Sequence, residues 1–474
     1  MSELQLIRPL YKQGSVMKEL TIASLQTAMS FLLEYLPNTI SIYLLEFKED
    51  SLLVGALGLG ILTTQAFGMG ILNGLATGLE TLVSQAYGAN HYELCAKLYY
   101  RSLFLCTLFM IPISLFLIFS TQIISFINKY NNTELAEETG HFNRYMILAV
   151  YLNAIFVNTK VFLNGQNIYK YQFYTQLVTC ILFIGISYFF IVKQELGIVG
   201  CALSLTSLDL LNNIILFSFI FVTKCSQATL FKFKRQYLQN TLKFLKEAIP
   251  IGSILWLEWI SFDFYVILVS YLKTQTISAH VLMSNFAGFL YQFSYGISIA
   301  STTFVGNEMG RKKIEMAKKY TKATFFIDGI FLLITLGLFT IFGNSLIEIL
   351  SEDETVISEI QSSKYLLVAF IILDGLQAII SGLVRAIGRE ASASITFILC
   401  YLVLGEIIGY FLCYTADFGL KGVWIGIVIG ALAYDVIQFV NLIWKDWNVL
   451  ADIILDKLII LHQQQIIVFQ EEEI

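Results

Sequence analysis

Apolar runs dominate the chain and recur at near-regular intervals. A spanning helix needs roughly 20 predominantly apolar residues, and runs of that kind fall at 21–45, 52–77, 99–120, 143–164, 172–192, 197–222, 249–272, 278–303, 323–343, 363–384, 391–413 and 421–445. The pattern predicts an all-α membrane protein with twelve transmembrane helices. Beyond them, the apolar patch at 453–461 is too short to span and is broken by His462-Gln463-Gln464-Gln465. An interfacial or partner-binding helix is expected there, with a disordered acidic end at Glu471 to Glu473 as the other reading.

An internal repeat appears at an offset of 222 residues. Val83-Ser84-Gln85-Ala86-Tyr87-Gly88, followed by Glu93 and Lys97, aligns with Val305-Gly306-Asn307-Glu308-Met309-Gly310, followed by Glu315 and Lys319. Asn164-Gly165-Gln166-Asn167 falls beside Ala386-Ile387-Gly388-Arg389. Six helices thus repeat as six. Because six is even, both copies enter the bilayer from the same side, which makes a parallel repeat about an axis along the membrane normal, with a substrate site near the midplane between the lobes. The organisation expected is a cytoplasmic N-terminal tail (1–20), a six-helix lobe (21–223), a basic interlobe linker (224–248), a second six-helix lobe (249–445) and a cytoplasmic C-terminal tail (446–474).

Charge supports this layout and sets the orientation. Lys224, Lys232, Lys234, Arg235, Lys243 and Lys246 cluster in one loop, and Arg311, Lys312, Lys313, Lys318, Lys319 and Lys322 in another; basic residues mark cytoplasmic loops. The opposite loops carry acids: Glu46, Glu49 and Asp50, then Glu134, Glu137 and Glu138, then Glu352, Asp353, Glu354 and Glu359. With 57% apolar and 14% charged residues over 474 positions and a net charge of -5, the chain falls outside the soluble range and offers nucleic acid no basic domain. The seven cysteines form no Cys-x-x-Cys pair and the four histidines are dispersed, so neither a zinc site nor a disulfide framework is expected. The first 20 residues lack an apolar core, so no cleaved signal peptide is read. Asn131-Asn132-Thr133 is a glycosylation sequon in an outward loop. No phosphate-binding loop is present, which argues against an ATP-driven pump, and no cofactor is expected.

Candidate chemistry lies in the carboxylates inside the apolar runs. Glu258 and Asp263 share the run 251–272, although an ionisable group at the bilayer centre costs at least about 2.5 to 3.5 kcal/mol. Such groups face a bundle interior or an aqueous cavity and mark function. Glu258, Asp263, Asn285 and Asp374 are enough to line one cavity in the second lobe. A carboxyl that alternately holds a proton and pairs with a cation couples two fluxes without further machinery. Asp263 stands five residues from Glu258, about 140° around a helix, so it reaches the same cavity only if that cavity is wide. Glu34, Asp209, Asp328, Glu406 and Asp435 read equally well as packing groups. Trp259, Phe262 and Tyr291 offer ring faces to an organic cation, with plain packing as the alternative. Pro250 is expected to start helix seven, and Pro37, inside helix one, to act as a hinge.

These residues resemble the eukaryotic multidrug and toxic compound extrusion (MATE) transporters. The likeness lies in Leu79-Glu80-Thr81-Leu82 with Gln85-Ala86-Tyr87-Gly88-Ala89, Leu257-Glu258-Trp259, Gly296-Ile297-Ser298 through Gly310, Asp374-Gly375-Leu376-Gln377, Ser381-Gly382, Arg385, Gly388, and Gly419 through Gly426. It implies a V-shaped pair of six-helix lobes, with Glu258 and Asp374 as the central proton and substrate groups and Asp263 as a second acidic position. Asn285 replaces a further glutamate of some animal members, Gln65 replaces a usual asparagine, and Glu34 lies near a bacterial aspartate without clear register. Glu406 has no counterpart. The implied function is a secondary antiporter exporting cationic or amphipathic organic compounds or xenobiotics in exchange for protons, with sodium as the alternative ion. It would work as a monomer in a plasma, organelle or vacuolar membrane. A lipid-linked oligosaccharide flippase would need a more cationic cavity, and a channel or receptor does not suit twelve repeated helices.

Overall fold

A computed structural model describes residues 15–46, 51–127, 133–351 and 353–471, apart from the side chains of Glu46, Ser51, Ile127, Asp263, Leu346, Ile349, Leu350 and 463–471. The sequon asparagines and the acidic residues Glu49, Asp50, Glu352, Glu472 and Glu473 fall outside that description. Twelve long helices cover the twelve apolar runs: α1 (Val16–Glu46), α2 (Leu52–Gly88), α3 (Tyr92–Ile118), α4 (Thr133–Asn164), α5 (Lys170–Lys193), α6 (Gly197–Thr223), α7 (Thr241–Val269), α8 (Thr274–Gly310), α9 (Ile314–Leu350), α10 (Glu354–Ala386), α11 (Glu390–Thr415) and α12 (Leu420–Trp444). A further helix, α13 (Trp447–Glu471), follows α12, and there is no strand among the described residues.

Ten of the twelve are long and apolar enough to cross a membrane unaided. The other two, α1 and α8, are more polar because they turn hydroxyl and amide side chains inward: Ser24, Thr27, Ser30 and Ser41 in α1, and Ser294, Ser298, Ser301, Thr302, Thr303 and Asn307 in α8 are all buried. Among the described residues, all of these side chains but Ser24 bond within the protein, as Thr27 Oγ1 does in donating to the Gly296 carbonyl at 2.6 Å. With 37 residues, α8 is about 55 Å long at 1.5 Å per residue and outruns the hydrocarbon core.

The 222-residue repeat is written into the backbone. Left-handed residues recur at that spacing: Asn90 (φ 62°) with Lys312 (φ 60°), Glu195 (φ 52°) with Asp417 (φ 58°), and Gly197 (φ 53°) with Gly419 (φ 54°). The caps recur with them. The N–H of His91 donates to the Ala86 carbonyl at 2.9 Å, and that of Lys313 to the Glu308 carbonyl at 2.8 Å. Both are bonds that close a helix through a left-handed residue. π-Helical turns also match, at Tyr188–Lys193 and Phe411–Thr415.

The chain forms two compact units: Met29–Gly252 with residues 460–471, and Ser253–Ile459 with residues 15–28. The core of the first gathers Leu57, Phe142, Met146, Phe183, Ile198 and Leu205. That of the second gathers Tyr265, Met283, Phe370, Ile371, Trp424 and Ile427. Each unit contains a close backbone crossing at glycines 222 residues apart. A Cβ on Gly74 would lie 2.9 Å from the Gly252 carbonyl oxygen in the first, and a Cβ on Gly296 would collide with the Ala28 backbone in the second.

Two expectations change. Pro250 does not start its helix, because α7 begins at Thr241 and encloses it; Phe244 and Ala248 are fully buried, so packing of the preceding turns holds the helix through the proline. The apolar patch near the C-terminus is not broken at His462. α13 runs on through the glutamines, and its buried stripe of Trp447, Leu450, Ala451, Ile454, Leu458 and Leu461 has the spacing of one helix face. Lys457 anchors it to Glu390 at 3.0 Å.

Candidate functional site

The unit Ser253–Ile459 holds a cluster of buried acids. Glu258 of α7 and Asp374 of α10 are each 5% exposed and within electrostatic reach of one another. Glu258 accepts a hydrogen bond from the Tyr291 phenol of α8 and one from Gln377 Nε2 of α10 at 3.4 Å. The Gln377 amide also donates to Ser381 Oγ at 3.3 Å, which shares a 2.8 Å bond with the Tyr434 hydroxyl of α12. Three helices thereby hold Glu258 in place through neutral donors. Arg385, one of the motif residues near the end of α10, supplies positive charge within reach of Glu258, although neither carboxylate forms an ion pair with it among the described residues.

The aromatic candidates separate. Tyr291 belongs to the cluster, and its ring stacks on Tyr295 with centroids 5.5 Å apart at 20°. Phe262 instead lies edge-on to Phe370 at 5.7 Å and packs on the apolar core. Trp259 is half-buried and Asn285 is exposed. The Asp263 side chain lies outside the described residues.

Gln65, Glu34 and Asp209 lie in the unit Met29–Gly252. Gln65 is half-buried at the head of a π-helical turn, Gln65–Met69. Glu34 is not alone: its Oε2 lies 2.6 Å from Lys160 Nζ of α4 and accepts a 3.0 Å bond from Gln176 Nε2 of α5. The ammonium also stands over the Phe31 and Phe156 rings, 4.6 and 5.6 Å from their centroids. Asp209 of α6, held by Asn153 at 3.2 Å, is within electrostatic reach of both Glu34 and Lys160. Reasoning from acids alone misses Lys160, yet a lysine inside the run 143–164 is as costly as a carboxylate and signals a partner.

The repeat, the helix count and the acids converge on one family. The MatE family model matches residues 27–189 and again 250–411, once in each half of the repeat. The chain belongs to the MatE family. Among curated relatives it resembles, from Arabidopsis thaliana, Protein DETOXIFICATION 16, 26% identical over 363 residues (76% of this chain, 74% of that one). It also resembles Protein DETOXIFICATION 9, 24% identical over 421 residues (88% and 86%). Among solved structures, the eukaryotic MATE transporter AtDTX14 superposes with a TM-score of 0.88 at 23% identity, covering 94% of this chain and 99% of that one. An outward-facing multidrug resistance MATE transporter of the MOP superfamily follows at 0.80 and 16%, covering 95% and 98%. The chain therefore has the all-helical MATE fold and is an integral, multi-pass membrane protein of a transporter family that moves small organic compounds.

Proposed function

We propose that this MATE protein is a secondary antiporter that exports cationic or amphipathic organic compounds in exchange for protons, its site opening alternately to the two sides of the membrane. One observation carries the reading: Glu258 is buried beside Asp374 and held by a phenol and an amide rather than by an ion pair. A carboxylate satisfied by neutral donors keeps its charge available, so a proton or an organic cation is free to balance it. The stacked Tyr291 and Tyr295 rings offer a face to such a cation, a contact of about 0.5 to 2 kcal/mol. The buried Lys160–Glu34 pair differs, since it already holds its own cation.

The test is transport in reconstituted vesicles, with pH and sodium gradients imposed separately on a panel of fluorescent organic cations. A pH gradient alone should drive uptake, and Glu258→Gln or Asp374→Asn should abolish it. Gradient-driven exchange that survives both substitutions would remove these residues from the mechanism. Drive by sodium alone would replace the proton as the coupling ion.

A further inference from the structure

The unit Ser253–Ile459 presses one more carboxyl against the same cluster. Asp435 of α12 is 5% exposed, and neither of its carboxylate oxygens has a hydrogen-bond partner among the described residues. It is within electrostatic reach of Asp374. A second group points to the same place. Tyr401 of α11 is 1% exposed, its hydroxyl is buried and unpartnered among the described residues, and it is within electrostatic reach of Asp374, Asp435 and Glu258 together. The Tyr401 ring is held by stacking on Phe397 at 4.3 Å and 5° and by the edge of Tyr434 at 6.1 Å, so its hydroxyl is fixed. The hydrogen-bonded line from Glu258 through Gln377 and Ser381 ends at Tyr434, the residue beside Asp435. Arg385 is a basic group within electrostatic reach of both ends of that line, Glu258 and Tyr434.

Two ionised carboxylates in mutual reach offer only acceptors, and burying acceptors without donors is costly. One proton added to the cluster changes that, because a protonated carboxyl and the Tyr401 hydroxyl are both donors. We propose that Asp435 and Asp374, with the unpartnered Tyr401 phenol in the same buried cluster, form a second proton-exchange subsite beside Glu258, so that this unit exchanges two protons per cycle. The step consumes nothing else: a proton binds the pair from one side and leaves on the other when cationic substrate supplies the charge. This rests on the exchange reading of Glu258 and Asp374.

The experiment has two arms. Infrared titration of the purified protein counts carboxyl bands that appear on acidification, with no substrate needed. Asp435→Asn should remove one band and displace a second, the one that Asp374→Asn removes, and Asp435→Glu should restore the pair. Tyr401→Phe should displace the Asp374 band while leaving the count unchanged, and it serves if Asp435→Asn fails to fold. An unaltered titration in Asp435→Asn or in Tyr401→Phe overturns the subsite. The second arm measures, at zero membrane potential, the ethidium gradient that a pH gradient sustains. The wild type should hold about 100-fold per pH unit and Asp435→Asn about tenfold, whereas a merely structural Asp435 would change rates and leave this ratio alone. If ethidium ignores the pH gradient in the wild type, the antiport reading fails, while the infrared arm still decides for or against the pair.

Discussion

Lys160 Nζ lies 2.6 Å from Glu34 Oε2, joining α4 to α1 through a lysine side chain only 3% exposed. Breaking one half of a buried pair leaves an uncompensated charge, which costs about 3 to 5 kcal/mol; the lower end applies here because the Glu34 side chain is 29% exposed. Lys160→Met should therefore lower thermal stability in detergent by about 3 kcal/mol. Lys160→Met with Glu34→Gln should recover most of the loss, since no charge is then stranded. Additive losses in that double-mutant cycle would show that the two groups do not act as a pair.

The Tyr291 phenol should set the pH at which transport works. Tyr291→Phe keeps the ring that stacks on Tyr295 and removes the hydrogen bond to Glu258. A bond to a charged group is worth about 1.5 to 3 kcal/mol, which is roughly a 10- to 150-fold change in a protonation equilibrium. The pH profile of cation efflux should move by a unit or more while folding, read by size-exclusion elution, is retained. An unmoved profile would leave Tyr291 with a stacking role alone.

How far the sequence reveals these features follows from their chemistry. The helices and their sixfold grouping are legible because a bilayer admits few backbone solutions, and because the repeat at 222 recurs in the backbone itself, down to the left-handed Asn90 and Lys312. Glu258 and Asp374 are legible for the same reason, since a carboxylate in an apolar run has to be explained. Their neighbours are not. Gln377 and Glu258 stand 119 residues apart, and Lys160 and Glu34 stand 126 apart, so no local pattern announces either contact. Ring chemistry is also mute about direction: Phe262 and Tyr291 both follow from aromatic content, yet one packs on Phe370 and the other bonds Glu258. Helix ends are harder still, as Pro250 shows, because the turns before it are stabilised by the burial of Phe244 and Ala248.

Gly426 of α12 should divide from Gly58 of α2 on substitution. A Cβ on Gly426 would lie 2.5 Å from the Gly405 carbonyl oxygen and 2.6 Å from the Gly409 Cα, whereas one on Gly58 meets nothing within 4 Å. Backbone atoms cannot rotate aside, so Gly426→Ala should cost about 1 to 3 kcal/mol through forced separation of the helices. Gly58→Ala should gain about 0.5 to 1 kcal/mol from helix propensity. Thermal unfolding of the two variants side by side checks the sign of each; a neutral Gly426→Ala would mean that α11 and α12 approach less closely.

The end of α13 should loosen on acidification. The His462 ring lies against His91 with centroids 5.4 Å apart. Burial first, then the charges of Lys97, His91 and Arg101, hold its pKa below the ordinary 6.5, with Glu93 opposing. A lowered value in the docked state means that docking disfavours the proton. The contact is therefore fully stabilising above the ordinary value and weakens as pH falls through it, because the freed histidine takes up the proton first. Amide hydrogen exchange over residues 455–462, corrected for intrinsic rates, should be faster at about pH 5.5 than at about pH 7.5. His462→Gln should flatten that dependence, since an amide carries no titrating charge. A pH dependence that persists in His462→Gln would place the titrating group elsewhere, with His91 the next to substitute, and equal exchange at the two pH values in the wild type would show that the contact does not sense pH.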